Sequence, residues 1–482
     1  MPDFDPTPEQ KAIVEAARDT SDNLCVIARA GAAKTSTLVL IAEALPDTDI
    51  LCLAFNKSIA TEMADRLPPN CESKTLHGLG YKAWFQFIRR KCDVKKNKVY
   101  LILKEEIDKL DGEDRDHAFE KMSEILDFVS KGKNMGWLPE AYKGHWKPLY
   151  SDMEFFSSLE FEVSQVQEYL IKAVSIESFK QALQGSVDFD DMVFCPAITA
   201  APWPSPSLTL VDESQDLSGL NHHILKKIVR NRRVIAVGDP CQAIYAFRGA
   251  DSNSMTELSQ LFSMTEYSLT ISFRCARKIT ENACWRAPDM KAPDWAEDGE
   301  VLQIKSWSAD DLALGDAIVC RNNAPLFAIA MKLLESGKPP VIAGRDIAAP
   351  LKKIMKKLGG NSQPNLASIA ALDEWKAKEL KRARKGGKAA IHDRYECIKL
   401  FLERTDNLGD AIFYLDRLLN SEGRIHLMTG HKSKGLEFNT VWFLDPFLCR
   451  VEEGQDANIK YVIETRAKRK LIYCTTEGFD SN

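Results

Sequence analysis

Three apolar runs, each ending in residues suited to phosphate or metal-ion chemistry, constrain this 482-residue chain more than anything else in it. Asn23-Leu24-Cys25-Val26-Ile27 leads into Ala28-Arg29-Ala30-Gly31-Ala32-Ala33-Lys34-Thr35, and Leu208-Thr209-Leu210-Val211 ends in Asp212-Glu213. Arg233-Val234-Ile235-Ala236-Val237 ends in Gly238-Asp239. Short apolar, β-branched runs bounded by turn residues read as buried strands. Polar residues at the carboxyl ends of such strands are where open α/β sheets bind ligands. An α/β fold follows, with a helix from Ser36 to Ala44.

The first of these segments has the order strand, small-residue loop, Lys-Thr, helix, which is the context of a phosphate cradle. Backbone N–H groups from Ala30, Gly31, Ala32, Ala33, Lys34, Thr35 and Ser36 would face the phosphates. Lys34 would reach the β and γ oxygens, and Thr35 would hold Mg²⁺. Ala28 and Ala33 occupy both glycine positions of the G-x-x-x-x-G-K-[ST] pattern. A Cβ at position 33 is expected to require a negative φ, with Gly31 left for the closest approach.

Asp212 is suited to position Mg²⁺, and Glu213 to orient and deprotonate an attacking water. Gln242 follows the third strand, where it could sense a γ-phosphate. The residues around it, Gly238-Asp239-Pro240-Cys241-Gln242-Ala243-Ile244-Tyr245-Ala246-Phe247-Arg248-Gly249-Ala250, form a long signature that joins this glutamine to aromatics and an arginine.

Length and a hydrophobic content of 45% allow two or more domains with their own cores. No run of 18 apolar residues and no basic-then-apolar start is present, so an intracellular, cytoplasmic protein without a membrane span is expected. The 12 cysteines form no Cys-x-x-Cys pair and read as reduced, packed thiols. A net charge of -5 argues against a uniformly basic nucleic-acid coat but leaves room for a local basic groove.

With these motifs in this order, the chain resembles superfamily 1 DNA helicases of the UvrD/Rep/PcrA type, and within them the compact branch that includes phage-encoded members and F-box DNA helicases. The likeness runs from Thr7-Pro8-Glu9-Gln10 to Glu464-Thr465-Arg466-Ala467. It implies two RecA-like P-loop NTPase motor domains, ATP and Mg²⁺ as cofactors, and single-stranded DNA and its junctions with duplex as substrate. By this resemblance Gln10 reads adenine, Phe273 stacks on it, and Glu437 lies near the ribose. Lys34, Glu213, Gln242, Arg274 and Arg466 carry hydrolysis, the two arginines acting on the γ-phosphate across the cleft between the motor domains. Phe55, Asn56, Lys57, Thr75, His77, Tyr245, Phe247, Arg248, Thr429, His431 and Lys432 fall in DNA-contact motifs. Val187-Asp188-Phe189-Asp190-Asp191-Met192 resembles a further short motif of the first domain. Ser36 stands where much of the family has arginine, and Arg29 is the candidate to compensate.

The expected organisation is a first motor domain at 1–90 and 186–265 and a second at 266–345 and 425–482, each interrupted by a mainly helical insertion, at 91–185 and at 346–424. The first insertion has helical patterns over Leu101 to Leu110 and His117 to Lys131, with Trp137, Trp146 and Tyr150 read as core. The second is short and basic, with Lys352-Lys353, Lys356-Lys357 and a run from Lys376 to Lys388. The resemblance implies a helicase that translocates 3′ to 5′ on DNA. Two alternatives stand beside it: a translocase that does not unwind, and a nucleotide- or DNA-sensing subunit of a nuclease or defence complex. A protein partner, either a nuclease or a replication or repair factor, fits any of the three.

Overall fold

A computed structural model describes residues 5–245, 253–343, 347–384, 387–452 and 455–480. Phe247 and Arg248, expected at a DNA contact, lie outside the described residues, as do Arg345 and Asp346 at the expected start of the second insertion. The chain forms two compact units. One comprises the residues up to Ala28 with Ala33–Leu159 and Val163–Leu269; the other comprises Arg29–Ala32, Glu160–Glu162 and the chain from Thr270 onward.

The first unit is built on a six-stranded parallel sheet, in the spatial order Cys71–Thr75, Ile50–Ala54, Leu208–Val211, Arg233–Gly238, Leu24–Ala28, Thr265–Leu269. Its central strands are buried along almost their whole length, which is why they read as continuous apolar runs. Leu51, Leu53, Val211 and Val234 pack against Ile224, Leu225 and Ile228 of the helix Gly219–Val229. Each such side chain contributes about 1.5–3 kcal/mol on burial. The three strands whose ends carry the polar motifs therefore stand side by side.

The expected boundary at residue 265 is displaced. Thr265–Leu269 pairs in register with Leu24–Ala28, so the first sheet runs to Leu269. As an edge strand it buries only Leu269, and its polar Thr-Glu-Tyr-Ser stretch has no apolar pattern to reveal it.

The first insertion is helical, over Lys98–Ile107, Gly112–Met135 and Gln165–Leu183, and its entry and exit are joined where Asp93–Val94 pairs with Ser186–Val187. Trp137 is buried and stacks on Phe155 at 4.0 Å, while Trp146 meets Phe179 edge-on at 5.4 Å.

The second unit has its own six-stranded parallel sheet, ordered Pro340–Ile342, Ile425–Thr429, Ala317–Cys320, Phe438–Leu444, Ala467–Cys474, Glu300–Gln303. Among the described residues its insertion forms the helices Ala348–Leu358, Asn365–Arg382, Gly387–Leu402 and Leu408–Leu419. Phe401, Leu415 and Leu418 from these helices share one core with Ile318, Leu427 and Leu444 of the sheet. The insertion thus continues the core of its unit. Here the helix Asn323–Glu335 begins beneath a carboxylate of the chain itself: Asp393 Oδ1 accepts from the N–H groups of Asn323 and Ala324 at 3.0 and 3.2 Å. That helix start, the usual place for an anion after a strand, is already satisfied.

None of the 12 cysteines is in a disulfide. Among the described residues no helix is long and apolar enough to cross a membrane.

Candidate functional site

The strand Leu24–Ala28 ends in a loop whose conformation only partly suits its residues. Gly31 has φ +75°, and a Cβ there would lie 2.6 Å from Arg274 Cβ and 2.8 Å from Ser272 Oγ, so no larger residue fits. Ala33 corrects the sequence expectation, for it adopts the left-handed conformation with φ 55° and ψ 41°. An L-residue held there costs about 1–2 kcal/mol. The helix Lys34–Glu43 that follows has no side-chain N-cap. Its first-turn N–H groups are thereby left to an anion.

Lys34 Nζ lies 2.7 Å from Glu213 Oε2. Gln215 Nε2 donates to the same oxygen at 2.5 Å, and Gln215 Oε1 accepts from the Asp239 N–H at 3.0 Å. Asp239 then accepts from Gln242 Nε2 at 2.7 Å and from the Cys241 N–H at 3.0 Å. This chain of bonds connects the start of the helix to the ends of both acidic strands, and brings together Lys34, Glu213 and Gln242. Gln215 and Asp239 are the links that sequence reasoning left without a role. Their signal was position, since each lies within four residues of the end of a buried strand.

Electrostatics follow from burial and sign. Burial alone would lower the Lys34 pKa, but Glu213, Asp212 and Asp239 outweigh it and hold the ammonium above its ordinary value. Asp212 is buried, and burial followed by repulsion from Glu213 pushes its carboxyl up to about 7, against the attraction of Lys34 and a hydrogen bond with Thr35. The Asp212 carboxylate and Thr35 hydroxyl are hard oxygen donors, the kind Mg²⁺ takes in ones and twos beside phosphate and water. Among the described residues no group of three or more His, Cys, Asp or Glu could hold a metal ion without such outside ligands.

Gln10 is buried at the start of the helix Pro8–Asp19, where it forms a capping box with Thr7 and donates to Thr37 Oγ1 at 3.0 Å. Ser36 Oγ accepts from Arg66 at 3.1 Å. Arg29, the candidate to compensate for Ser36, instead grips Asp289 with two bonds of 2.7 and 2.9 Å inside the second unit. Arg66, at the end of the helix Lys57–Arg66, is the arginine found at Ser36.

Several expected DNA contacts lie at helix starts of the first unit. Asn56 caps the helix Lys57–Arg66 by accepting from the Ile59 N–H at 2.9 Å, with Lys57 exposed beside it. Thr75 caps Leu76–Ile88 through the Gly78 N–H at 3.1 Å. Phe55 and Tyr245 lie nearly parallel, with centroids 5.9 Å apart and an interplanar angle of 10°. His77 stacks on Phe189 at 3.9 Å, and burial pushes its pKa down to about 4. Phe189 had been given no role, although an aromatic inside an acidic run is a visible oddity; it is 61% exposed.

In the second unit Arg274 Nε is 2.7 Å from Glu437 Oε1, so the two residues expected at γ-phosphate and ribose meet each other. The attraction of Arg274 overcomes burial and lowers the Glu437 pKa. Arg466 is buried, donating to the carbonyls of Val462 at 2.9 Å and Leu436 at 3.2 Å. The Phe273 N–H donates to the Gly31 carbonyl at 2.9 Å, and its ring lies 6.3 Å from that of Trp295. Thr429 is buried at the start of the short helix Gly430–Ser433, with His431 half-buried and Lys432 exposed.

Comparison with known proteins gives the family of the chain. Residues 7–263 match the model of the UvrD/REP helicase N-terminal domain, and residues 396–478 that of the UvrD-like helicase C-terminal domain. The chain is 24% identical to F-box DNA helicase protein 1 of Schizosaccharomyces pombe, covering 97% of this chain and 57% of that protein. It is 24% identical to F-box DNA helicase 1 of Gallus gallus, covering 97% and 48%, and 24% identical to the ATP-dependent DNA helicase PcrA of Bacillus subtilis, covering 62% and 42%. The chain therefore spans about half the length of the relatives it matches.

Proposed function

Because the chain belongs to the UvrD/REP helicase family, we propose that it is an ATP-dependent motor that moves 3′ to 5′ on single-stranded DNA and separates duplex at single-strand junctions inside the cell. The observation that carries this reading is the bonded series Lys34, Glu213, Gln215, Asp239, Gln242 at the carboxyl ends of adjacent parallel strands. A binding-only protein has no physical need for a partly buried glutamate held by a lysine and an amide.

In this reading Lys34 moves from Glu213 to a phosphate oxygen, and Glu213, still held by Gln215, takes the proton of the attacking water. Thr35 and Asp212 would hold Mg²⁺, which would neutralise phosphate charge when bound. Gln242 reports the state of the γ-phosphate to Asp239 and, through the following chain, to Tyr245. Arg274 and Arg466 stabilise the charge that develops on the transferred group. Phe55, Tyr245, His77 and Phe189 offer π-faces, which grip bases without regard to sequence.

A second reading, translocation without unwinding, draws support from the second insertion, whose helices share the core of their unit. Unwinding of a duplex with a 3′ tail, compared with a 5′ tail and with displacement of streptavidin from a biotinylated single strand, decides among them. The proposal expects separation of the 3′-tailed duplex. Displacement of streptavidin with both duplexes intact would establish the second reading instead.

A further inference from the structure

The segment Asp188-Phe189-Asp190-Asp191 presents one aromatic ring to the surface and anchors the carboxylates on either side of it. Asp188 and Asp191 bond each other reciprocally, each backbone N–H donating to the other's carboxylate at 2.9 Å. Two lysines of the first insertion close on this pair from different helices. Lys98 Nζ reaches Asp191 at 2.6 Å and the Ser178 carbonyl at 2.6 Å. Lys133 Nζ reaches Asp188 at 2.5 Å, Asp191 at 2.7 Å and Ser178 Oγ at 2.8 Å.

Lys98, Lys133, Asp188 and Asp191 are all buried. Asp190 is tied as well: Ser130 Oγ donates to it at 2.6 Å and Asn134 Nδ2 at 3.4 Å. Ser130, Lys133 and Asn134 lie at helical spacing on one face of Gly112–Met135. Three of the four residues are thus held by the insertion. Phe189 stands out from them, stacked on His77.

A buried set of two ammonium and two carboxylate groups is a poor way to gain stability, because removing charges from water costs more than an apolar core of the same volume. What it does supply is a single geometry, since both lysines are satisfied only with the segment in this conformation. Nearby Cys195 is kept a thiol, as burial and Asp191 raise its pKa well above the usual value.

We propose that Lys98 and Lys133 are positioning residues for DNA: through Asp188 and Asp191 they fix the ring of Phe189 against His77, making the base-stacking surface of the first unit depend on its insertion. This rests on the proposed DNA-motor function. In the absence of these contacts the segment retains its reciprocal Asp pair but loses its fixed placement on the helices Lys98–Ile107 and Gly112–Met135.

The test is a double-mutant cycle in the full chain, read as the concentration of single-stranded DNA that half-maximally stimulates ATP hydrolysis. Phe189→Ala alone is expected to raise that concentration about tenfold, the loss of one stacked base. Lys133→Met is expected to raise it by a similar factor and leave the DNA-free ATPase rate unchanged. Combining the two should raise it hardly further, because the ring removed is already misplaced. Lys98→Met should behave like Lys133→Met, and Lys133→Arg should restore part of the affinity. Multiplicative effects of Lys133→Met and Phe189→Ala would overturn the positioning role while leaving the motor intact. If Phe189→Ala changes nothing, the DNA reading of this surface fails first. Should Lys133→Met not fold, the same cycle is run with Lys98→Met and with Ser130→Ala, which removes one hydroxyl from the surface of the network.

Discussion

The Lys34 ammonium rests 2.7 Å from the Glu213 carboxylate, so the residue suited to hold phosphate and the residue suited to activate water are bonded to each other. Glu213 has a second partner in Gln215, whose bond does not require Lys34. Glu213→Gln preserves size and the contact with Gln215 while removing the base. We expect DNA-stimulated ATP hydrolysis to fall about 10²–10⁴-fold, the range for loss of a positioned general base, with ATP and DNA binding retained. Hydrolysis at the wild-type rate would remove Glu213 from the chemistry.

Ala33 holds a left-handed conformation that glycine adopts without strain. Ala33→Gly should relieve about 1–2 kcal/mol of native strain and lose about 0.4–1 kcal/mol through the more flexible unfolded chain. The net expectation is stabilisation of about 0.5–1 kcal/mol, read from denaturant unfolding at constant slope. Destabilisation would show that the Ala33 methyl makes contacts worth more than the strain.

His77 titrates low because burial disfavours its charged form. Below its ordinary pKa of about 6.5 the unfolded chain takes up a proton that the folded chain refuses. The stability that His77 contributes is therefore complete above about 6.5 and is lost as the pH falls toward 4. His77→Asn should flatten the fall of melting temperature over that window. An unchanged acid limb would assign it to other groups.

Phe401 is fully buried in the core that the second insertion shares with its sheet, edge-on to Phe327 at 5.4 Å. Phe401→Ala should cost about 3–5 kcal/mol. It should also lower the stability of the whole second unit in one transition, as followed by hydrogen exchange in the strand Ala317–Cys320. Loss of protection confined to the insertion helices would show that they unfold by themselves.

Much of this was legible beforehand, and the reasons differ by residue. Buried parallel strands such as Leu208–Val211 betray themselves as apolar runs, and the polar residues at their ends mark a ligand edge. The parts that were not legible depend on conformation or on distant partners. No pattern told that Ala33 would be left-handed, because alanine populates that region only when its surroundings force it. Arg29 and Arg66 are equally basic in sequence; Asp289, far along the chain, takes one of them, and the helix Lys57–Arg66 delivers the other to Ser36. Lys98 and Lys133 lie far along the chain from the carboxylates they meet, so no local pattern marks them. The edge strand Thr265–Leu269 was missed because an edge needs little apolar surface.

The most direct test of the motor reading is the rate of ATP hydrolysis with and without single-stranded DNA, for the unaltered chain and for Lys34→Ala in parallel. The account predicts strong stimulation by DNA that is absent in Lys34→Ala. ATP bound with no hydrolysis under either condition would contradict it, and would make this chain a nucleotide-sensing subunit instead of a motor.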